Sequence, residues 1–185
     1  IIRFARLIGG PMAVLPATII GTLALFFVNQ FRPGAIDHHN LQLALTLAAA
    51  YALALVQPER NGAVRWGALA GTCSALMLAI GMEAAPYAAA ACAVAALRFL
   101  LAGPLEGRIA QGFGLAFAAT SAITLCLAVP VQSWLVLQCD ALSLPQASLA
   151  ILGGGGLALI AAVPLFVQTL KSRLAAFAVL AGLIA

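Results

Sequence analysis

Charged side chains are scarce in this chain of 185 residues: only 8% are Asp, Glu, Lys or Arg, against about a quarter in a soluble domain. Together with a hydrophobic share of 64%, that scarcity excludes a water-soluble globular protein and indicates an integral membrane protein. The net charge of +4 is small and its carriers sit at the ends of apolar runs. No basic patch forms, which excludes a nucleic-acid interface. Four cysteines, Cys73, Cys92, Cys126 and Cys139, show no C-x-x-C spacing, and three lie inside apolar runs. They read as small packing residues, so a cysteine metal centre or disulfide framework is excluded as well. The opening stretch is not expected to be a cleavable signal peptide, because the apolar run after Arg3 and Arg6 is too long and lacks a convincing cleavage site. Nothing calls for a second domain, so residues 1–185 are expected to form a single transmembrane domain. With Ile1 in place of a starting Met and a hydrophobic run still open at Ala185, the chain reads as a fragment of a longer membrane protein.

What is present is a series of seven apolar segments. They run from Gly10 to Asn29, Leu41 to Val56, Trp66 to Met82, Tyr87 to Leu101, Ile109 to Val129 and Ala147 to Thr169, with a last one after Arg173. Each is near the roughly 20 residues that cross the hydrocarbon core as a helix. The expected fold class is therefore all-α, a polytopic transmembrane helical bundle of six to seven spans. The third and fourth segments, joined only through Glu83 and Pro86, could also form a hairpin that does not cross fully.

With a cytoplasmic N-terminus, the inner connectors hold Arg3, Arg6, Arg60, Arg65, Arg98, Arg108, Lys171 and Arg173, and the outer ones only Arg32. That asymmetry sets the orientation by the positive-inside rule. The acids divide differently. Asp37, Glu83 and Asp140 fall outside, together with His38 and His39. Glu59 and Glu106 fall inside beside arginines and read as solvated ion pairs of little energetic weight.

The densest polar cluster is Asp37-His38-His39-Asn40. A carboxylate with imidazoles is a ligand set for Mn, Mg or Zn, with Mn favoured by mixed oxygen and nitrogen ligation. On an extended segment, Asp37 and His39 share a face and His38 points elsewhere, towards a substrate phosphate. The competing reading is a helix cap, in which Asp37 or Asn40 opens the second span. Glu83 is a functional candidate because a carboxylate near membrane depth is costly unless it is paired or hydrated. Its alternative is a turn residue or a cap of the fourth span. Asp140, in the loop after the interfacial anchor Trp134, could join a metal or substrate site, or cap a short helix. Cys139 beside it has no visible base to make it a nucleophile. Arg32, in the turn Arg32-Pro33-Gly34, could offer a cation to an anionic substrate or simply be solvated. The four glycines 153–156 are no phosphate loop, since no lysine follows. Like Gly67-x-x-x-Gly71 and Gly112-x-Gly114, they read as helix-packing features.

On the Asp37-His38-His39 element, set in an outer loop just before an apolar helix, the chain resembles the membrane part of the GT-C class of glycosyltransferases. Within that class it is similar to the oligosaccharyltransferase catalytic-subunit type. The resemblance implies transfer of a sugar or oligosaccharide from a polyprenyl-phosphate-linked donor at the extracytoplasmic face of a bacterial inner membrane. It implies a divalent metal cofactor, Mn or Mg, held by Asp37 and His39, which neutralises charge on the leaving phosphate. Asp37, His39 and Glu83 are then the catalytic candidates, and His38, Arg32 and Asp140 the substrate-binding ones. The implied partners are the lipid-linked sugar donor and membrane lipid. The family's first-loop acid and its later glutamate motif have no counterpart in these residues. A transporter or a non-catalytic scaffold subunit is the alternative. Transporters put ionisable groups at mid-membrane, and the apolar segments here lack them.

Overall fold

The computed structural model describes residues 2–28, 31, 37–55, 62–136 and 142–184. All regular structure among them is helical. Hydrocarbon offers backbone amides no hydrogen-bonding partner, so an apolar chain crossing a bilayer must satisfy its N–H and C=O groups within helices. The α-helices are α1 (Ile2–Gly9), α2 (Val14–Val28), α3 (His38–Leu55), α4 (Ala63–Ile80), α5 (Ala85–Ala102), α6 (Pro104–Ala128), α7 (Leu144–Ala162), α8 (Pro164–Val167) and α9 (Leu170–Ile184).

Four stretches are long and apolar enough to cross a membrane: Ala63–Ile80, Met82–Ala102, Glu106–Ala128 and Leu144–Ala162. They mark the chain as an integral membrane protein by length and composition, and the third and fourth segments of the sequence are both among them. The other segments fall outside that measure for local reasons. α2 and α9 are 15 residues each, and α3 opens on the polar turn His38-His39-Asn40-Leu41-Gln42. Large apolar side chains point outward along the spans, with Leu101 73% and Leu127 83% exposed. A water-soluble bundle would bury such residues, whereas lipid accepts them.

The chain divides into two compact units, Ile1–Ala44 and Leu45–Ala185. In the first, Gly10 adopts φ 70° ahead of Pro11, a left-handed turn that separates α1 from α2. α1 carries Arg3 and Arg6 three positions apart and therefore on neighbouring faces of the helix.

The second unit is built on a glycine seam. A Cβ at Gly67 would run into the carbonyl of Ile109, one at Gly71 into that of Phe113, and one at Gly112 into that of Val64. Only glycine lets the α4 and α6 backbones approach this closely. From Gly67–Ile109 to Gly71–Phe113 the contacts advance together along both sequences, so α4 and α6 run parallel and α5 is the return between them. On the other side of α6, Gly114 meets the Gly154 carbonyl and Gly107 faces Ala161, so α7 runs antiparallel to α6. The four glycines of α7 do not break the helix. Gly154 serves the α6 seam, Gly156 lies under Leu180 of α9, and Gly153 and Gly155 face open space. The core beside this seam includes Met77, Phe99, Ile109 and Phe113, all nearly fully buried.

From Leu45 on, α3 packs antiparallel to α4, with Thr46 Oγ1 2.9 Å from Met77 Sδ and the Tyr51 and Trp66 rings 6.1 Å apart. These directions gather Arg65, Arg98, Glu106, Arg108, Lys171 and Arg173 at one end of the unit. At the opposite end Glu83 is the only charged side chain among the described residues.

Candidate metal centre

α3 begins at His38, immediately after the non-helical Asp37. The backbone N–H of Asn40 donates to the Asp37 carbonyl at 3.2 Å, closing the first turn. Asp37 Oδ1 accepts a long hydrogen bond from the His39 N–H at 3.4 Å. The capping reading is therefore realised, because Asp37 satisfies one of the N–H groups that every helix start leaves over.

Helix geometry changes the arrangement expected for an extended segment. His38 does not point away: its Nδ1 is 3.0 Å from Asp37 Oδ1, and its ring lies 4.2 Å from that of His39 at a tilt of 38°. His39 Nδ1 is 3.1 Å from Gln42 Oε1, the i,i+3 neighbour that a helix supplies. If that Nδ1 carries the proton and donates to Gln42, Nε2 holds the lone pair that can coordinate a metal. Asp37, His38 and His39 each offer a ligand atom, and these atoms all lie within 4.8 Å of one another.

Two ligands on one ion with bonds of about 2.1 Å can be at most about 4.2 Å apart. The trio is thus within a small side-chain adjustment of a common ion. Three protein ligands leave coordination positions open, the pattern of a metal that also meets substrate. His38 joins Asp37 and His39 in this cluster, which enlarges the candidate ligand set beyond the pair singled out in the sequence. Gln42, 6% exposed, is a partner of His39 that the sequence did not single out. The signal for it was the spacing to His39, legible only once the helix is started at His38.

Glu83 is exposed, in the single 3-10 turn Met82–Ala84 that leads into α5 of the second unit. Arg32 and Asp140 lie outside the described residues, as do Glu59, Arg60 and Cys139. Trp134 donates from Nε1 to the Val129 carbonyl at 3.0 Å and packs with Leu125, Leu142 and Ala147. Ser143 forms a capping box with Gln146, so α7 starts three residues earlier than the apolar pattern indicates.

The basic end of the second unit corrects one expectation. Glu106 is not a solvated partner: it is 8% exposed, and its Oε1 is 2.9 Å from Arg98 Nη2. Arg98 also donates from Nη1 to the Leu53 carbonyl, so one guanidinium ties α3, α5 and α6 together. Arg173, 6% exposed, donates from Nε to the Leu100 carbonyl at 2.9 Å and from Nη1 to that of Val167 at 2.7 Å. Its guanidinium fills the space where a Cβ of Gly103 would stand, and Gly103 itself takes φ 68° between α5 and α6. Carbonyls at helix C-termini are natural acceptors for a buried cation.

No protein family, no curated protein and no solved structure matches the chain.

Proposed function

We propose that the chain is the transmembrane part of a glycosyltransferase of the GT-C class, transferring a sugar or oligosaccharide from a polyprenyl-phosphate-linked donor at the extracytoplasmic face. The observation that carries this reading is the convergence of Asp37, His38 and His39 ligand atoms within 4.8 Å at the head of an apolar helix. A hard divalent cation, Mn or Mg, suits this carboxylate and imidazole set. Asp37 and His39 would hold it, with His38 as a third ligand or a donor to substrate phosphate. The ion would act as a Lewis acid on the departing phosphate, where negative charge grows in the transition state. Gln42 would fix the His39 tautomer from behind.

The membrane character supports a lipid-linked donor, since such a substrate reaches its enzyme from within the bilayer. The full count of six to seven spans, and the orientation with the basic end towards the cytoplasm, belong to this same reading and rest on the positive-inside bias. In this reading Glu83 is a further catalytic candidate, and Arg32 and Asp140 are substrate-binding candidates.

The direct test is glycosyl transfer by membranes containing the full-length protein, with a polyprenyl-phosphate-linked sugar as donor. Asp37→Ala and His39→Ala are expected to abolish transfer while the protein remains folded and inserted. Transfer at an unchanged rate in Asp37→Ala would reduce Asp37 to a helix cap and remove the reading.

A further inference from the structure

His38 could serve the metal centre in two ways, as a ligand to the ion or as a donor to a substrate phosphate. The distances at the head of α3 separate them. His38 Nδ1 stands 3.0 Å from Asp37 Oδ1. Two ligand atoms at that separation, each bonded at about 2.1 Å, subtend about 90° at a shared ion, the angle between neighbouring positions of an octahedron. The pair is thus spaced as two neighbouring ligands without moving either side chain. A phosphate brought to the same imidazole would instead meet the Asp37 carboxylate beside it, and like charges at such a distance repel.

In the absence of an ion the 3.0 Å separation is that of a hydrogen bond, with the proton on His38 Nδ1. An ion takes the place of that proton, and the neutral ring then carries its hydrogen on Nε2. His39 is prepared from the other side. Its Nδ1 faces Gln42 Oε1 at 3.1 Å, which leaves Nε2 for the ion. The two rings lie 4.2 Å apart, and one ligand atom from each of the three side chains falls within 4.8 Å of the others.

A third ligand also meets an electrostatic need. The first turn of a helix carries positive partial charge on its unpaired N–H groups, which disfavours a cation there. His38 and His39 are the first two residues of α3, so an ion between them sits at such a start. One carboxylate and one imidazole are a thin set against that field, and a second imidazole strengthens it.

We propose that His38 is a ligand of the ion through Nδ1, so that the centre consists of one carboxylate and two imidazole nitrogens, and that His38 takes no part in holding substrate phosphate. This inference rests on the reading of Asp37 and His39 as a metal centre and adds to it the role of the residue between them.

The test is pulsed electron paramagnetic resonance of Mn bound to the detergent-purified full-length protein, in which nitrogen couplings report the imidazoles bonded to the ion. The wild-type protein is expected to show two such nitrogens, and His38→Ala and His39→Ala one each. Titration should show Mn affinity lowered in His38→Ala by at least about tenfold, the loss that follows even from removing a group that only orients a ligand. The His38 side chain is 54% exposed, so circular dichroism should show the same helix content in His38→Ala and the wild type. Saturable Mn with a single imidazole nitrogen in the wild-type protein, or two nitrogens retained in His38→Ala, would overturn this proposal and leave the Asp37–His39 centre standing. No saturable Mn in the wild-type protein would remove both.

Discussion

Arg98–Glu106 and Asp37–His38–His39 are both clusters of ionisable groups in a chain that has few, yet they are built differently. The first reaches across the fold: one guanidinium bonds the Leu53 carbonyl of α3 and the Glu106 carboxylate of α6, and Glu106 is almost wholly buried. The second is gathered at one helix start, with bonds from residue 37 to residues 38 and 39, and from residue 39 to residue 42. Its side chains are also open to the surroundings, with Asp37 36% and His38 54% exposed. A buried pair between helices holds helices; a partly exposed trio at a helix start leaves its ligand atoms accessible. The difference teaches that residue type alone does not separate structural charge from functional charge. Reach and exposure do.

That contrast can be broken or sharpened in order of effect. The largest change is expected at the seam on which the basic end is assembled. Gly71→Leu drives a side chain into the Phe113 carbonyl. The obstacle is backbone, so the cost should exceed the about 1–3 kcal/mol of ordinary overpacking. Size-exclusion chromatography in detergent should show aggregated protein.

Glu106→Ala comes next. It leaves the Arg98 cation without its acid and should cost about 3 kcal/mol, the lower part of the range for breaking a buried pair, because Arg98 is 27% exposed. A thermal melt in detergent should show a clear fall in midpoint, with Glu106→Gln in between.

Gln42→Leu should leave the melt almost unchanged but weaken Mn binding by about tenfold, the lower end for losing a group that orients a ligand histidine.

The smallest stability effect is expected for Asp37→Asn. Asparagine caps a helix about as well as aspartate, so the melt should move by the equivalent of less than about 0.5 kcal/mol. A large drop in the Asp37→Asn melt would place the cluster among the structural charges and erase the contrast.

Much of this architecture was legible in the amino-acid order. The apolar segments mapped onto helices, and Gly67-x-x-x-Gly71 with Gly112-x-Gly114 became the α4–α6–α7 seam because small residues at helical spacing have few other uses in lipid. The Asp37–His39 cluster was legible as a candidate ligand set. Its geometry was not, because it depends on whether the helix starts before or after the histidines, and composition allows either.

Glu106 was misread as solvated although a signal existed: it shares a stripe with Ile109, Ala110 and Phe113 at the three- and four-residue spacing of one helix face, and those residues are buried. Arg173 lies on a similar stripe with Ala176, also buried. What no spacing in the chain reveals is which carbonyl or carboxylate waits opposite. Leu53, Leu100 and Val167 supply backbone acceptors, and a backbone acceptor has no sequence signature.

The proposed metal centre rests on Asp37 and His39 holding a divalent ion. Isothermal titration of Mn into the detergent-purified full-length protein, alongside Asp37→Ala and His39→Ala, tests it without reference to any substrate. One saturable site in the wild-type protein, lost in both variants while their helical signal is retained, is the expected result. The same titration curve in all three proteins, or no saturable binding in the wild type, would contradict the claim.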